Sequence, residues 1–417
     1  MSRSVATEAA LGRRWLVVGA LFLITFSMAT PLASYGVFLP ILAERFGWSR
    51  GAISAALSMN LLVGGVAGFG AGALADRYGP RLILVVTVIL AGTAFALVSV
   101  VDALWQLYLL VGLLGGVGMS SFYLLSATTI TRWFDARRGL ALALVLVGFN
   151  LGYISAGPLA AWLIDVFGWR AAYALIGSGC GALSMLAALT VRSPREGEVA
   201  PGRLDGSAAG SGPESRVDET GATLAQALAD PRQWYLSASW LLQGGLAFMI
   251  SVHAVPFVRD KGLSLAVASL ALTAYGIGSA IGRLAAGAVS DRIGAEATIR
   301  VAFAVQIAGL VGLVLWASPE GRFASIVAFG IGFAAADTMT VKVMPDVFGM
   351  RALGAIMGVL ALGWRLGAAL GPTVAGSLYD VTGSYTLVFG AAPAVVILSW
   401  VLFARATSRR RTPPPTS

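Results

Sequence analysis

The chain has 417 residues, of which 57% are hydrophobic and only 12% are charged. A soluble domain carries about 25% charged residues. The composition therefore excludes a soluble globular protein and predicts that lipid is the main solvent. With one cysteine, Cys180, and one histidine, His253, we expect no disulfide framework, no metal site and no cofactor.

The net charge of +9 indicates membrane topology rather than nucleic-acid binding. Most lysines and arginines lie in loops on one side of the predicted membrane, together with both termini, and the positive-inside rule assigns that side to the cytoplasm. The opposite side carries Arg45, Arg50, Arg170, Arg259, Lys261 and Arg322. We therefore expect an integral multi-pass plasma membrane protein, in a bacterial inner membrane, that functions as a monomer.

Twelve apolar runs are each long enough to span a bilayer, which takes about 20 helical residues. Runs of this length without an alternating polar face predict helices, so the fold class is an all-α membrane protein with two six-helix bundles. The first run is too long for the core of a cleaved signal peptide, which has about 7–15 residues. The predicted spans are 15–40, 51–74, 82–99, 107–130, 139–163, 171–191, 235–256, 266–288, 299–317, 323–344, 353–378 and 385–404.

A polar stretch divides the chain into an N-terminal bundle (1–191), a cytoplasmic linker (192–234) and a C-terminal bundle with a tail (235–417). Proline, glycine, serine and charges dominate the linker, which predicts flexibility. Its last part, 223–231, is typical of a short amphipathic helix at the membrane surface. The tail from Arg409 to Arg411 is expected to be disordered beside anionic headgroups.

A motif at the end of the second span recurs 215 residues later, at the end of the eighth. The copies read Gly72-Ala-Leu-Ala-Asp76-Arg77-Tyr-Gly79 and Gly287-Ala-Val-Ser-Asp291-Arg292-Ile-Gly294. Further matches pair Gly148-Phe-Asn150-Leu-Gly152 with Gly363-Trp-Arg365-Leu-Gly367, and Gly157-Pro158 with Gly371-Pro372. The chain is therefore built from two copies of one unit, as many transporters are.

At these residues the chain resembles transporters of the major facilitator superfamily over essentially its full length. Two further stretches are similar to the signatures of the monocarboxylate transporter family, and the oxalate/formate antiporter family shares much of the pattern. These two stretches are Ser34-Tyr-Gly-Val-Phe-Leu and Trp133-Phe-Asp-Ala-Arg137-Arg138-Gly-Leu-Ala-Leu-Ala. The resemblance implies two six-helix bundles that rock around a central substrate site.

Ionisable side chains inside spans are costly, at about 2.5–3.5 kcal/mol for a central arginine, so they indicate function. Arg283 corresponds to the span-8 arginine that binds the substrate carboxylate in both families. Tyr275 and Ser279 lie on the same helical face and are predicted to line the same cavity. The alternative places Arg283 in a gating cluster with Asp291 and Arg292.

Arg365, near the centre of span 11, is predicted to bind an anion through its planar guanidinium. Asp337, in span 10, is the candidate acid that loads and releases a coupled proton. The alternative for all three side chains is a permanent ion pair, between Asp337 and either Arg283 or Arg365.

Neutral side chains complete the predicted site. Histidine titrates near physiological pH, and His253 is a candidate for substrate contact or proton coupling. Asn150, Tyr35, Tyr123 and Asn60 are candidate polar contacts, with helix–helix hydrogen bonding as the alternative role. The Asp-Arg pairs of the repeated loops are predicted to control gating through charge clusters: Asp76, Arg77, Asp291 and Arg292.

Two positions depart from the monocarboxylate transporter pattern. Many members carry a lysine late in span 1, where this chain has Pro31 to Ser34, and an aspartate at the position of Ser279. The oxalate/formate family uses a second basic residue in span 11, a place that Arg365 fills. Two cations suit a dicarboxylate, whereas neutralisation of one by Asp337 suits a monocarboxylate.

The predicted function is secondary transport of a small organic anion. Proton-coupled symport of a monocarboxylate such as lactate or pyruvate is the favoured form of this transport. Carboxylate exchange of the oxalate/formate kind is the alternative, and proton-driven drug efflux ranks below it, because such a cavity would lack paired arginines. An enzyme is not expected, since the chain offers no nucleophile–base or metal constellation. The expected partners are the carboxylate, the proton and the lipid bilayer, not nucleic acid.

Overall fold

The computed structural model describes residues 2–134, 138–192, 194 and 221–408. For residues 2–12, 138 and 139 it describes only the backbone. Most of the predicted linker, Arg137 of the span-5 motif and the tail from Arg409 to Arg411 lie outside the described residues. Within them the protein is almost entirely helical, as predicted, and the one extended pairing is a single bridge between Gly221 and Gly349.

Twelve helices, labelled α1–α12, follow the twelve predicted spans within these ranges. They are α1 Ser2–Phe46, α2 Arg50–Tyr78, α3 Pro80–Leu97, α4 Leu104–Trp133, α5 and α6 within Arg138–Thr190, α7 Pro231–Asp260, α8 Leu265–Ile293, α9 Ala295–Leu315, α10 Pro319–Phe348, α11 Leu353–Thr382 and α12 Thr386–Thr407. Helices α5 and α6 follow each other without an intervening loop, so the chain shows eleven long apolar helical stretches. Below, the terminal end is the end where α1 begins and α12 ends, and the far end is the opposite one.

Glycines with positive φ make the reversals between helices. Gly168 has φ 77° and separates α5 from α6. Gly79 and Gly294, the last residues of the two repeated motifs, have φ 88° and 83° and cap α2 and α8 in the same way. Only glycine adopts this backbone at low cost. The motif therefore ends in glycine because the chain must turn there.

The other repeated glycines bring helices together inside each half. A Cβ added at Gly152 of α5 would lie 2.6 Å from the carbonyl oxygen of Phe26 in α1. The matching Gly367 of α11 packs even more closely on the backbone of Leu241 in α7. Such contacts replace the hydrophobic effect as the source of helix association in a membrane. The same small residues thus build both bundles.

Helix α4 is irregular over its middle third. Residues Tyr108–Leu114 form a π-helical segment, and the helix breaks at 119–121 before it resumes at Phe122. Gly118 packs against the backbone of Ala91 in α3, which leaves no room for a side chain there. π-Helical insertions occur often at functional sites, and this one precedes the predicted site residue Tyr123.

The end of the linker forms the predicted short helix, Leu224–Ala229. The Thr223 hydroxyl oxygen accepts a hydrogen bond from the backbone N–H of Gln226. The side-chain oxygen of Gln226 accepts one from the backbone N–H of Thr223, and the two bonds form a capping box. The Ala222 amide donates to the carbonyl of Phe348 at 2.8 Å. The linker end is therefore attached to the terminal end of α10, and the predicted domain boundaries stay a prediction.

The glycine contacts predict a position-specific loss of stability. We expect Gly367→Ala to lower the midpoint of thermal unfolding in detergent, because the added methyl group meets the Leu241 backbone and overpacking costs about 1–3 kcal/mol. Gly358→Ala on the same helix is the matched control, since a Cβ there meets nothing within 4 Å and alanine favours the helix. Equal midpoints for the two variants would contradict the packing role.

Candidate functional site

An ion pair joins two membrane-spanning helices of the C-terminal half. Nη1 of Arg283 in α8 is 3.4 Å from Oδ2 of Asp337 in α10. The two helices approach closely because Gly278 and Gly282 of α8 pack on the backbone of α10. This close packing sets the two charged residues opposite each other. Of the predicted partners of Asp337, the structure therefore selects Arg283.

The second intramembrane arginine has no such partner. Arg365 is half-buried in α11 and makes no hydrogen bond or ion pair with any residue in the described part of the chain. Its side chain lies against α2 of the other half, where a Cβ added at Gly65 would be 3.5 Å from its Cδ. Gly65 thus leaves the space that the guanidinium occupies.

Tyr123 of the N-terminal half lies near these charges. Its ring is half exposed, and it lies within electrostatic range of Arg283, Asp337 and Arg365. The site therefore has two cations and one anion from the C-terminal half, faced by a phenol and a glycine from the N-terminal half. A net charge of one positive unit remains within the membrane-spanning part of the protein, and an anion is the natural ligand for it.

Tyr275 and Ser279 lie on α8 two turns and one turn before Arg283, respectively, and both are buried. The ring of Tyr275 stacks on Phe329 at 6.1 Å and meets the edge of Tyr153 from α5 at 6.3 Å. An aromatic layer thus continues from one half into the other beside the charged residues. Asn150, one turn before Tyr153 on α5, is half-buried and has no hydrogen-bond partner in the described ranges.

Two other predicted contacts are used inside the N-terminal half. The Tyr35 hydroxyl is fully buried and donates to the carbonyl oxygen of Ile53 at 2.6 Å. Nδ2 of Asn60 donates to the carbonyl of Val111 at 2.7 Å, within the π-helical segment. Both placements favour the alternative role, helix–helix hydrogen bonding, over substrate contact.

His253 lies away from the charged residues, toward the far end. It is fully buried, its Nδ1 is 2.8 Å from the Tyr385 hydroxyl and its Nε2 is 2.8 Å from the carbonyl oxygen of Pro372. Because a carbonyl only accepts, Nε2 carries the proton and Nδ1 accepts from tyrosine. Ser54 of α2, 3.3 Å from Nε2, adds a contact with the other half. This placement favours a role in holding the halves together over direct substrate contact.

The main polar connection between the halves was not predicted. Arg50, the first residue of α2, forms a bidentate pair with Asp260 at the end of α7, with N–O distances of 2.7 and 2.9 Å. Its guanidinium also lies 3.8 Å above the ring of Tyr379 in α11. Bidentate geometry and an aromatic face are the arrangement that arginine, and not lysine, provides.

A second acid holds the same helix end. Both carboxylate oxygens of Asp380 accept backbone hydrogen bonds from α2, from the Arg50 amide at 2.8 Å and the Gly51 amide at 2.7 Å. An acid from one half thus caps a helix of the other. Arg259 and Glu44 add an ion pair at 3.1 Å. We name this set, Glu44, Arg50, Arg259, Asp260 and Asp380, the far-end clamp.

Two of the four predicted gating residues form ion pairs, each inside its own half. Asp76 pairs with Arg132 of α4 at 2.8 Å, and Asp291 pairs with Lys342 of α10 at 3.2 Å. The guanidinium of Arg77 lies beside the ring of Tyr78, and Arg292 is exposed. All four residues are at the terminal end, and a gating role for them stays a prediction.

Comparison with known proteins gives one consistent result. The family model of the Major Facilitator Superfamily matches residues 21–329 and 254–417. Monocarboxylate transporter 11 of Homo sapiens is 30% identical over 91% of this chain and 79% of its own, and monocarboxylate transporter 13 of Bos taurus is 28% identical over 93% and 87%.

Solved structures agree with this fold. A mutant of the nucleoside transporter NupG aligns with a TM-score of 0.73 at 13% identity, over 94% of this chain and all of that one. A bacterial homolog of the human lysosomal transporter Spinster aligns with a TM-score of 0.70 at 18% identity, over 94% and 92%.

The far-end clamp predicts a change in accessibility. The reporter is Ser54→Cys, one turn after Arg50 on α2, in a Cys180→Ser background. We expect Arg50→Gln to speed maleimide labelling of this cysteine about tenfold. A loss of about 1.4 kcal/mol from the closed conformation changes the equilibrium between closed and open forms tenfold. Arg170→Gln is the matched control, because Arg170 pairs with Asp102 within one half. Labelling of Arg50→Gln at the control rate would exclude the clamp as a determinant of closure.

Proposed function

Since the chain belongs to the Major Facilitator Superfamily and resembles monocarboxylate transporters over most of its length, we propose that it moves a small monocarboxylate together with a proton. The observation that carries the proposal is the charge balance of the site. Asp337 neutralises Arg283 at 3.4 Å, while Arg365 keeps an unpaired positive charge. One free cation matches one carboxylate.

Proton coupling follows from competition for Arg283. A proton that binds Asp337 removes the charge that holds Arg283, so the guanidinium becomes available to the substrate carboxylate. The empty site has two cations and one anion. The loaded site has two cations, a neutral acid and one carboxylate, so its net charge is the same. Bundle movement then carries equal charge in both directions, and release of the substrate lets Arg283 and Asp337 pair again.

Alternating access requires the far-end clamp to open and a counterpart at the terminal end to close. Asp76, Arg77, Asp291 and Arg292 are the residues we assign to that counterpart. We place both termini in the cytoplasm of a bacterial inner-membrane protein that works as a monomer. Substrate then leaves the site toward the cytoplasm in the conformation closed by the clamp.

Proteoliposome uptake tests the coupling. We expect labelled lactate or pyruvate to accumulate when an inward proton gradient is imposed, and Asp337→Asn to abolish this accumulation while exchange of internal for external substrate continues. Asp346→Asn, an exposed acid on the same helix, is the control and should keep wild-type accumulation. Uptake that ignores the gradient but needs internal substrate would refute symport and favour carboxylate exchange of the oxalate/formate kind.

Anion recognition is tested at the arginines. Arg365→Gln and Arg283→Leu should each abolish uptake, because each removes a charge-assisted contact with the carboxylate, while both proteins keep their elution volume and thermal midpoint in detergent. Arg351→Gln, exposed before α11, should transport normally. Retained uptake in either site variant would remove that arginine from the substrate site.

A further inference from the structure

A groove at the terminal end lies outside the transport path. It is formed where α9 begins and α12 ends, and its volume is about 310 Å³, near the lower limit for small-ligand sites. Glu296, Arg300, Trp400, Phe403 and Thr407 are among its lining residues. No residue of the charged site or of the far-end clamp contributes to it.

The groove is polar at one end and apolar at the other. Thr407 and Ser408 close α12, whereas Trp400 lies seven residues earlier, about 10 Å deeper along the helix. On α9, Glu296 and Arg300 are exposed in the first turns and Ile299 is fully buried. The polarity thus changes along the bilayer normal, from a charged rim at the terminal end to an apolar floor toward the membrane interior.

The two rim charges have opposite sign and are both available. Neither Glu296 nor Arg300 makes an ion pair or a side-chain hydrogen bond within the described ranges. Below them, the Trp400 ring stacks on Phe303 at 6.4 Å and is half-buried. Tryptophan at this depth is typical of the membrane–water interface. A ligand that satisfies this groove carries an anion, a cation and an apolar chain in that spatial order.

We propose that this groove binds a phospholipid whose headgroup has both a phosphate and a primary ammonium group. Arg300 donates to the phosphate, and Glu296 accepts from the ammonium. One acyl chain lies on Trp400 and Phe403. Since the charges of Glu296 and Arg300, the charged residues among the described lining, cancel, a zwitterionic headgroup matches them, whereas an anionic headgroup leaves Glu296 unpaired beside negative charge.

Full-length protein, purified and stripped of lipid, tests the site by native mass spectrometry and thermal unfolding. We expect phosphatidylethanolamine to remain bound at lower concentration than phosphatidylglycerol, by about tenfold, and to raise the unfolding midpoint more. Arg300→Gln should weaken binding of both lipids. Glu296→Gln should remove the preference while phosphatidylglycerol still binds, an outcome that a misfolded protein would not give.

Arg405→Gln is the matched control, because Arg405 lies in the last turn of α12 but does not line the groove. It should keep the wild-type preference. Equal binding of the two lipids by the wild type would overturn the proposal, and so would an unchanged preference in both groove variants. An equal loss in Arg405→Gln would also overturn it, since the effect would then come from general surface charge.

Discussion

The ion pair between Arg283 and Asp337 is the constraint on which the central site depends. A lone charge at that depth is costly, and the two residues share the cost by facing each other across α8 and α10. The pairing also gives Arg365 its significance, because the acid that would neutralise it is already engaged. In the proposed function, the substrate charge and the proton coupling both depend on which arginine the acid holds.

The far-end clamp and the central site lie at two positions along the same two helices, α2 and α11. Helix α11 carries Arg365 at mid-length and Asp380 at its far end, and α2 carries Gly65 against Arg365 and Arg50 in the clamp. A tilt of α2 relative to α11 therefore changes the clamp and the space around Arg365 together. In the proposed cycle, rigid helices would therefore link substrate binding to opening of the clamp.

The sequence predicted the fold well because its repeat records backbone constraints: Gly79 and Gly294 turn the chain, and repeated glycines pack the helices. Arg283, Asp337 and Arg365 were also recognisable, since charges stand out in apolar runs. Which of the two arginines pairs with Asp337 was left open, because the choice depends on the close approach of α8 and α10. Tyr35 and His253 were predicted to contact substrate because a sequence does not show that each donates a hydrogen bond to a backbone carbonyl. Arg50 was assigned from the sequence only to the side of the membrane opposite the termini, with no role in closing the far end.

The clamp must be strong enough to close the far end and weak enough to open. The side chains of Arg50 and Asp260 are 12% and 30% exposed, so water replaces part of their pairing when the halves separate. The halves also pack along α2 with α11 and along α5 with α8, and Gly36 lies against the Val252 backbone while Thr273 donates to the Ile154 carbonyl. Neither of these two contacts involves a charged side chain. The proposed cycle requires the two conformations to lie close enough in free energy for substrate and proton binding to reverse their order.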